Sequence, residues 1–116
     1  MNPGVAHGRF EEPTKSAYSF ESYDGEWERE YMQELEADPE VDAWTKRHKI
    51  RIPYIDPHNR KREYRPDFLV RLDTGQLQLH EVKGGHLIEN PDTKKKFEAA
   101  KAWCVARGIE WVVVTK

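Results

Sequence analysis

The sequence has a single cysteine, Cys104, so it can form no intramolecular disulfide and no cysteine-based zinc site. Its five histidines fall at no spacing used by metal ligands. The apolar runs, Trp111-Val112-Val113-Val114 and the five residues Ala102 to Ala106, are far short of a bilayer span. No charged-then-apolar leader with a cleavage site opens the sequence, and a reducing, cytoplasmic setting is expected. Excess charge is also missing. The net charge of -2 gives no bulk attraction for nucleic acid, so any nucleic-acid surface must be local. There is no internal repeat, heptad series or low-complexity tract.

What is present is a globular balance, 37% hydrophobic and 34% charged, over 116 residues, enough for one domain with a modest core. The clearest pattern is a hairpin. Tyr64-Arg65-Pro66-Asp67-Phe68-Leu69-Val70-Arg71-Leu72 and Gln76-Leu77-Gln78-Leu79-His80-Glu81-Val82-Lys83-Gly84 both alternate apolar with polar residues, as strands do. Asp73-Thr74-Gly75 between them suits a three-residue loop closed by a left-handed glycine. That loop sets Leu72 opposite Gln76, Leu69 opposite Leu79 and Asp67 opposite Glu81. Side chains alternate along a strand, so Asp67, Glu81 and Lys83 share one face. Directly opposed residues have Cβ atoms about 5 Å apart, where like charges repel. Two carboxylates so placed want a cation between them. A divalent ion on carboxylate oxygens, with a lysine two residues on, is a site for hydrolysing phosphate esters. The plainer alternative is a structural ion pair on a sheet.

Pro66-Asp67 followed by Glu81-Val82-Lys83 resembles the signature of the PD-(D/E)XK nuclease superfamily. The wider pattern adds Trp27-Glu28-Arg29 opening a helix, Ile52-Pro53-Tyr54 before Tyr64-Arg65-Pro66-Asp67-Phe68, and Gly84 after the lysine. It is similar to the C-terminal endonuclease domain of type III restriction enzymes and to transposon-end endonucleases, from about Ser22 to Lys116. The resemblance implies a restriction-endonuclease-like core and Mg²⁺ or Mn²⁺ held by Asp67 and Glu81, with Glu28 and the Val82 carbonyl as further oxygen ligands. It implies that Lys83 orients a water or offsets transition-state charge.

Along the chain, residues 1–21 carry Pro3, Gly4, Gly8 and Pro13 without a sustained period and read as a mobile arm or linker, leaving 22–116 as the nuclease domain. Asp24 suits the N-cap of a helix running to about Ala37, with Trp27, Tyr31, Met32 and Leu35 on its buried stripe and Glu28 at the stripe's edge. Asp38-Pro39 ends it. Short strands are expected over Val41–Lys46, with Trp44 inward, and around Ile50, Ile52 and Tyr54, where Pro53 demands an edge or a bulge. Asp56 to Arg62 reads as a turn and a basic tip. Arg60, Lys61, Arg62 and Arg65 are candidates for phosphate contact, against the alternative of ordinary solvation. Asn90-Pro91 starts a second helix that ends near Arg107 at Gly108, with Phe97, Ala100 and Cys104 inward. Trp111–Thr115 is a continuous apolar strand of the kind buried in a central or parallel position, reached by a right-handed crossover.

The expected fold is α/β, a mixed central β-sheet flanked by helices. The expected function is a metal-dependent endonuclease domain acting on DNA in restriction or transposition, with a catalytically silent nucleic-acid-binding or assembly module as the alternative. So short a chain has little room for a sequence-reading domain. A helicase, translocase or specificity subunit, or a larger parent chain, would supply it. A homodimer would provide two sites for two strands.

Overall fold

The computed structural model describes residues 8–116. Its centre is a four-stranded sheet built from β3 (Val41–Thr45), β6 (Phe68–Leu72), β7 (Leu77–Lys83) and β8 (Glu110–Thr115), side by side in that order. The β3–β6 and β6–β7 pairs are antiparallel, and β7–β8 is parallel. The fold is α/β with a mixed sheet, compatible with a restriction-endonuclease-like core.

The central hairpin has the expected register. Leu69 pairs with Leu79 and Phe68 with His80, while the Leu72 N–H donates to the Gln76 carbonyl at 2.9 Å. Gly75 takes φ +91°, a conformation that a side chain would disfavour. One expectation fails here. The first arm is not one strand from Tyr64 to Leu72, because pairing stops at β5 (Lys61–Tyr64) and resumes at Phe68. Pro66 sits in the gap. It can donate no backbone hydrogen bond, so the ladder cannot run through it.

Alternation along the strands sorts side chains to two faces. Phe68 and Val70 meet Tyr31, Met32 and Leu35 of the helix α1 (Glu26–Ala37), along with Val41 and Trp44. Leu79 meets Ala100 and Cys104 of α2 (Pro91–Val105). A second hairpin, β4 (Ile52–Ile55) with β5, joins α2 on that face through Ile52, Tyr54 and Tyr64. Phe68, with no exposed surface, lies at the centre of the α1 side. Its truncation to Ala carries the usual cost of about 3–5 kcal/mol for a core aromatic.

Asn90 caps α2 as the sequence predicts. Its side chain accepts from the N–H groups of Asp92 and Thr93 at 2.9 and 3.2 Å, with Pro91 at the first helical position. The helix stops at Val105, and Gly108 follows with φ +69°. Helix α1 is capped by Gly25 rather than Asp24. Trp27, placed in the buried stripe by its spacing, is 46% exposed, because the first turn of α1 carries it past the core.

Two other expectations are corrected. Residues from Gly8 onward do not form a loose arm: β1 (Gly8–Glu11) pairs with β2 (Phe20–Tyr23), and Phe10 and Tyr23 pack on the α1 core. The rest of the expected arm, residues 1–7, lies outside the described residues. Strand β8 is parallel, as expected, but sits at the sheet edge and is only half-buried. Its apolar run serves two half-covered faces, which a linear pattern does not distinguish from full burial. Among the described residues no helix is long and apolar enough to cross a membrane.

Candidate active site

Extending the β6–β7 register by one step past Phe68 and His80 sets Asp67 opposite Glu81, on the α2 face. The two residues are cross-tied. The Asp67 N–H donates to Glu81 Oε1 at 3.2 Å, and the Val82 N–H donates to Asp67 Oδ2 at 3.0 Å. Tyr64 completes the frame, donating its hydroxyl to Glu81 Oε1 at 2.6 Å. Each carboxylate therefore has one oxygen fixed to the protein. Asp67 Oδ1 and Glu81 Oε2 have no donor among the described residues. No side-chain oxygen there is both sealed from solvent and unpartnered, so both remain reachable.

Burial and the neighbouring Glu81 charge push the Asp67 carboxyl up to about 7, against the pull of the Val82 N–H. Burial likewise raises Glu81, against the Tyr64 hydroxyl and Lys83. Burial, then the Glu81 charge, pushes the Tyr64 hydroxyl far above its ordinary value, so it stays a donor. A pair of carboxylates held this way is short of positive charge.

The donor set fits a hard divalent cation in part. Two carboxylate oxygens lack a protein donor and are not sealed from solvent, and the next register step sets Pro66 opposite Val82, where proline has no N–H to offer the Val82 carbonyl. Magnesium keeps several waters and needs few protein ligands. The third expected carboxylate does not join them. Glu28 lies near enough to Asp67 to disfavour its ionised form, yet its Oε1 is held by Lys46 Nζ at 2.5 Å and by the Asp24 N–H at 2.9 Å. Among the described residues no group of three or more His, Cys, Asp or Glu converges as a metal set.

Lys83 is half-buried and, with Glu81, lines a cleft of about 860 Å³ between the β4–β5 hairpin and the start of α2. The Tyr54 hydroxyl, donating to Asp92 Oδ1 at 3.0 Å, joins its two walls. Of the four basic candidates, Arg62 and Arg65 line this cleft, and Arg60 and Lys61 do not. Arg62 is braced by Asp56 at 3.0 Å. Asp56 is held down to about 2 by the Arg60 N–H and Arg62. Arg65 has a structural tie as well, donating Nη2 to the Lys46 carbonyl at 2.6 Å.

Three contributors were not legible in the sequence. Lys96 reaches the cleft from α2, with Nζ 5.6 Å from the centre of the Tyr64 ring, and its charge favours ionised Glu81. His48 is buried and steadies the motif loop: Nε2–H donates to the Pro66 carbonyl at 2.8 Å while Nδ1 accepts from the Ile50 N–H at 3.3 Å. Lys46 is the third. His80 lies on the opposite face from Glu81, as alternation requires, and pairs with Tyr31 and Gln78.

Residues 38–116 match the sequence profile described as the TnsA-like endonuclease N-terminal family, which is a PD-(D/E)XK-type transposon endonuclease family. The chain belongs to that family. This TnsA-like domain is thus of nuclease type, and the family generally uses divalent metals. The matched span contains Asp67, Glu81 and Lys83 but begins after α1, so Glu28 lies outside it. No curated protein sequence matches the chain.

Proposed function

We propose that this chain is the catalytic module of a divalent-metal-dependent DNA endonuclease of the transposition type. Asp67, Glu81 and the Val82 carbonyl would hold Mg²⁺ or Mn²⁺, with Glu28 as a further oxygen ligand. Such a cation supplies Lewis acidity for attack of water on a phosphodiester. Lys83 offers its ammonium to the charge that grows on the phosphate oxygens. Arg62, Arg65 and Lys96, which line the cleft, would guide the backbone of the bound strand, and Arg60 and Lys61 would extend the positive surface beyond it. Sequence recognition would come from a partner subunit or a larger parent chain, and a second copy would serve the second strand.

The observation that carries this reading is the cross-tied pair, Asp67 and Glu81, each with one oxygen fixed and one free. One observation favours the catalytically silent alternative, namely that Glu28 is engaged by Lys46 and not by the pair. Supercoiled plasmid with Mn²⁺ decides between them. Nicking should require the metal and vanish in Asp67→Ala, Glu81→Ala and Lys83→Ala proteins that keep their circular dichroism. Full activity in Glu81→Ala would sink the site. No activity in any form, over a range of DNA and RNA substrates, would favour the silent module.

A further inference from the structure

Lys46 follows directly on β3, and its backbone is clamped on both sides. Its N–H donates to Glu21 Oε1 at 3.0 Å, and its carbonyl accepts from Arg65 Nη2 at 2.6 Å. Glu21 cannot drift, because it is fully buried and its Oε2 takes the hydroxyls of Ser16 and Thr45 at 2.5 and 2.7 Å. Arg65 belongs to the loop that presents Asp67. The clamp therefore ties Lys46 to β2 on one side and to the carboxylate-bearing loop on the other.

From this fixed base the side chain runs inward. Only 14% of it is exposed, with Nζ 2.5 Å from Glu28 Oε1, 3.5 Å from Asp24 Oδ2 and 6.0 Å from the centre of the Phe68 ring. Its charge also favours ionised Asp67. A lysine has a long flexible stem and a strongly hydrated head, and it rarely gives up solvent without a partner that holds it. Here the ammonium is paired with the helix-borne carboxylate and is near enough to the hairpin-borne one for its charge to be felt there, as the charge of a cation shared by Glu28 and Asp67 would be.

We propose that Lys46 is an internal counter-cation, holding Glu28 while the site lacks a divalent ion and yielding Glu28 when one is bound, so that it sets the affinity of the site for that ion. The proposal rests on the reading of Asp67 and Glu81 as the metal-holding pair. It accounts for why α1 brings Glu28 close to Asp67 and yet the three carboxylates do not converge. A simple fastening of α1 to the end of β3 would give the same ion pair. The two roles part over the metal.

Calorimetric titration with Mn²⁺, without nucleic acid, separates them. Lys46→Met should bind Mn²⁺ at least about fivefold more tightly than wild type, the low end of coupling between linked sites. The gain should disappear in Glu28→Gln/Lys46→Met relative to Glu28→Gln alone, which closes a double-mutant cycle. If Lys46→Met does not fold, Lys46→Gln keeps a polar contact to Glu28 and is held to the same criterion. Unchanged or weaker Mn²⁺ affinity, beside a wild type that binds, overturns the role of Lys46 and leaves the metal reading standing. A tighter Lys46→Met whose gain survives in the double mutant also overturns it, since the effect would not pass through Glu28. Absence of binding in every form removes the metal reading itself, and this proposal with it.

Discussion

Asp67 and Glu81 hold each other in place through the backbone: the Asp67 N–H donates to Glu81 Oε1 at 3.2 Å, and the N–H just after Glu81 donates back to Asp67 Oδ2 at 3.0 Å. The arrangement costs repulsion between two carboxylates and leaves one oxygen of each free. Asp67→Asn keeps the backbone donor and an acceptor for Val82 while removing the charge. In chelator it should be as stable as wild type, or more so by up to about 1 kcal/mol on the scale of cross-strand pairs. Mn²⁺ at about 100 times its Kd should stabilise wild type by about 2.7 kcal/mol and raise its Tm, and should do neither for Asp67→Asn. A destabilised mutant, with both proteins indifferent to Mn²⁺, would make the hairpin a structural feature only.

Tyr64 is the neutral partner of the pair. Tyr64→Phe removes the 2.6 Å donor to Glu81 and leaves Oε1 with the Asp67 N–H alone. The expected loss of stability is about 1–3 kcal/mol, the cost of an acceptor left short in a buried place. Glu81 should titrate higher, because the hydroxyl favours its ionised form. The pH profile of Mn²⁺ binding should then shift upward. Urea melts and titrations over several pH values read both effects. A loss of stability with an unmoved profile would reduce Tyr64 to packing.

The hairpin was legible because its signals are local. Gly75 fixes the loop, the loop fixes the register, and the register puts Asp67 across from Glu81. Asn90-Pro91 was equally readable, since a cap acts over three residues. Lys46, Lys96 and His48 were not, because their contacts join elements far apart in the chain. Lys46 meets Glu28 across 18 positions, and His48 meets Pro66 across 18. No periodicity encodes such a meeting. Trp27 shows the limit of periodicity from the other side. It stands four before Tyr31, as a buried residue should, but the sheet ends before it does. The β1–β2 hairpin was hidden for a further reason: its strands are four residues each, too short for alternation to stand out among glycine and proline.

Arg62 and Lys96 face one cleft from opposite walls. If both contact phosphates, Arg62→Ala and Lys96→Ala should each flatten the dependence of log affinity on log salt by about one unit, as one counterion fewer is released. Arg60 and Lys61 lie outside the cleft, and their replacement should flatten the slope less than that of Arg62. Fluorescence anisotropy with a short duplex in chelator gives the slopes without cleavage. Unchanged slopes in both cleft mutants would assign these cations to solvation.

The last prediction follows from the Asp67 carboxyl, which lies near 7 in the folded domain against an ordinary value of 3.8. Between those values the folded state keeps a proton that the unfolded chain gives up. The stabilisation is thus fully present below about pH 4 and lost as pH rises through about 7, at up to about 1.4 kcal/mol per pH unit. Two buried histidines work the other way. Burial lowers His80 to about 4 and lowers His48 as well, so each costs stability as pH falls below its ordinary 6.5. Both remain in Asp67→Asn, so they cancel in the difference between the two proteins. Urea melts in chelator from about pH 5 to pH 8 should show wild type losing stability relative to Asp67→Asn as pH rises. Mn²⁺ should reverse this trend, because the ion needs the ionised carboxylate and binds more tightly as the proton leaves. A difference that stays flat across the range would mean that Asp67 is already ionised in the resting fold, with no charge deficit at the pair for a cation to fill.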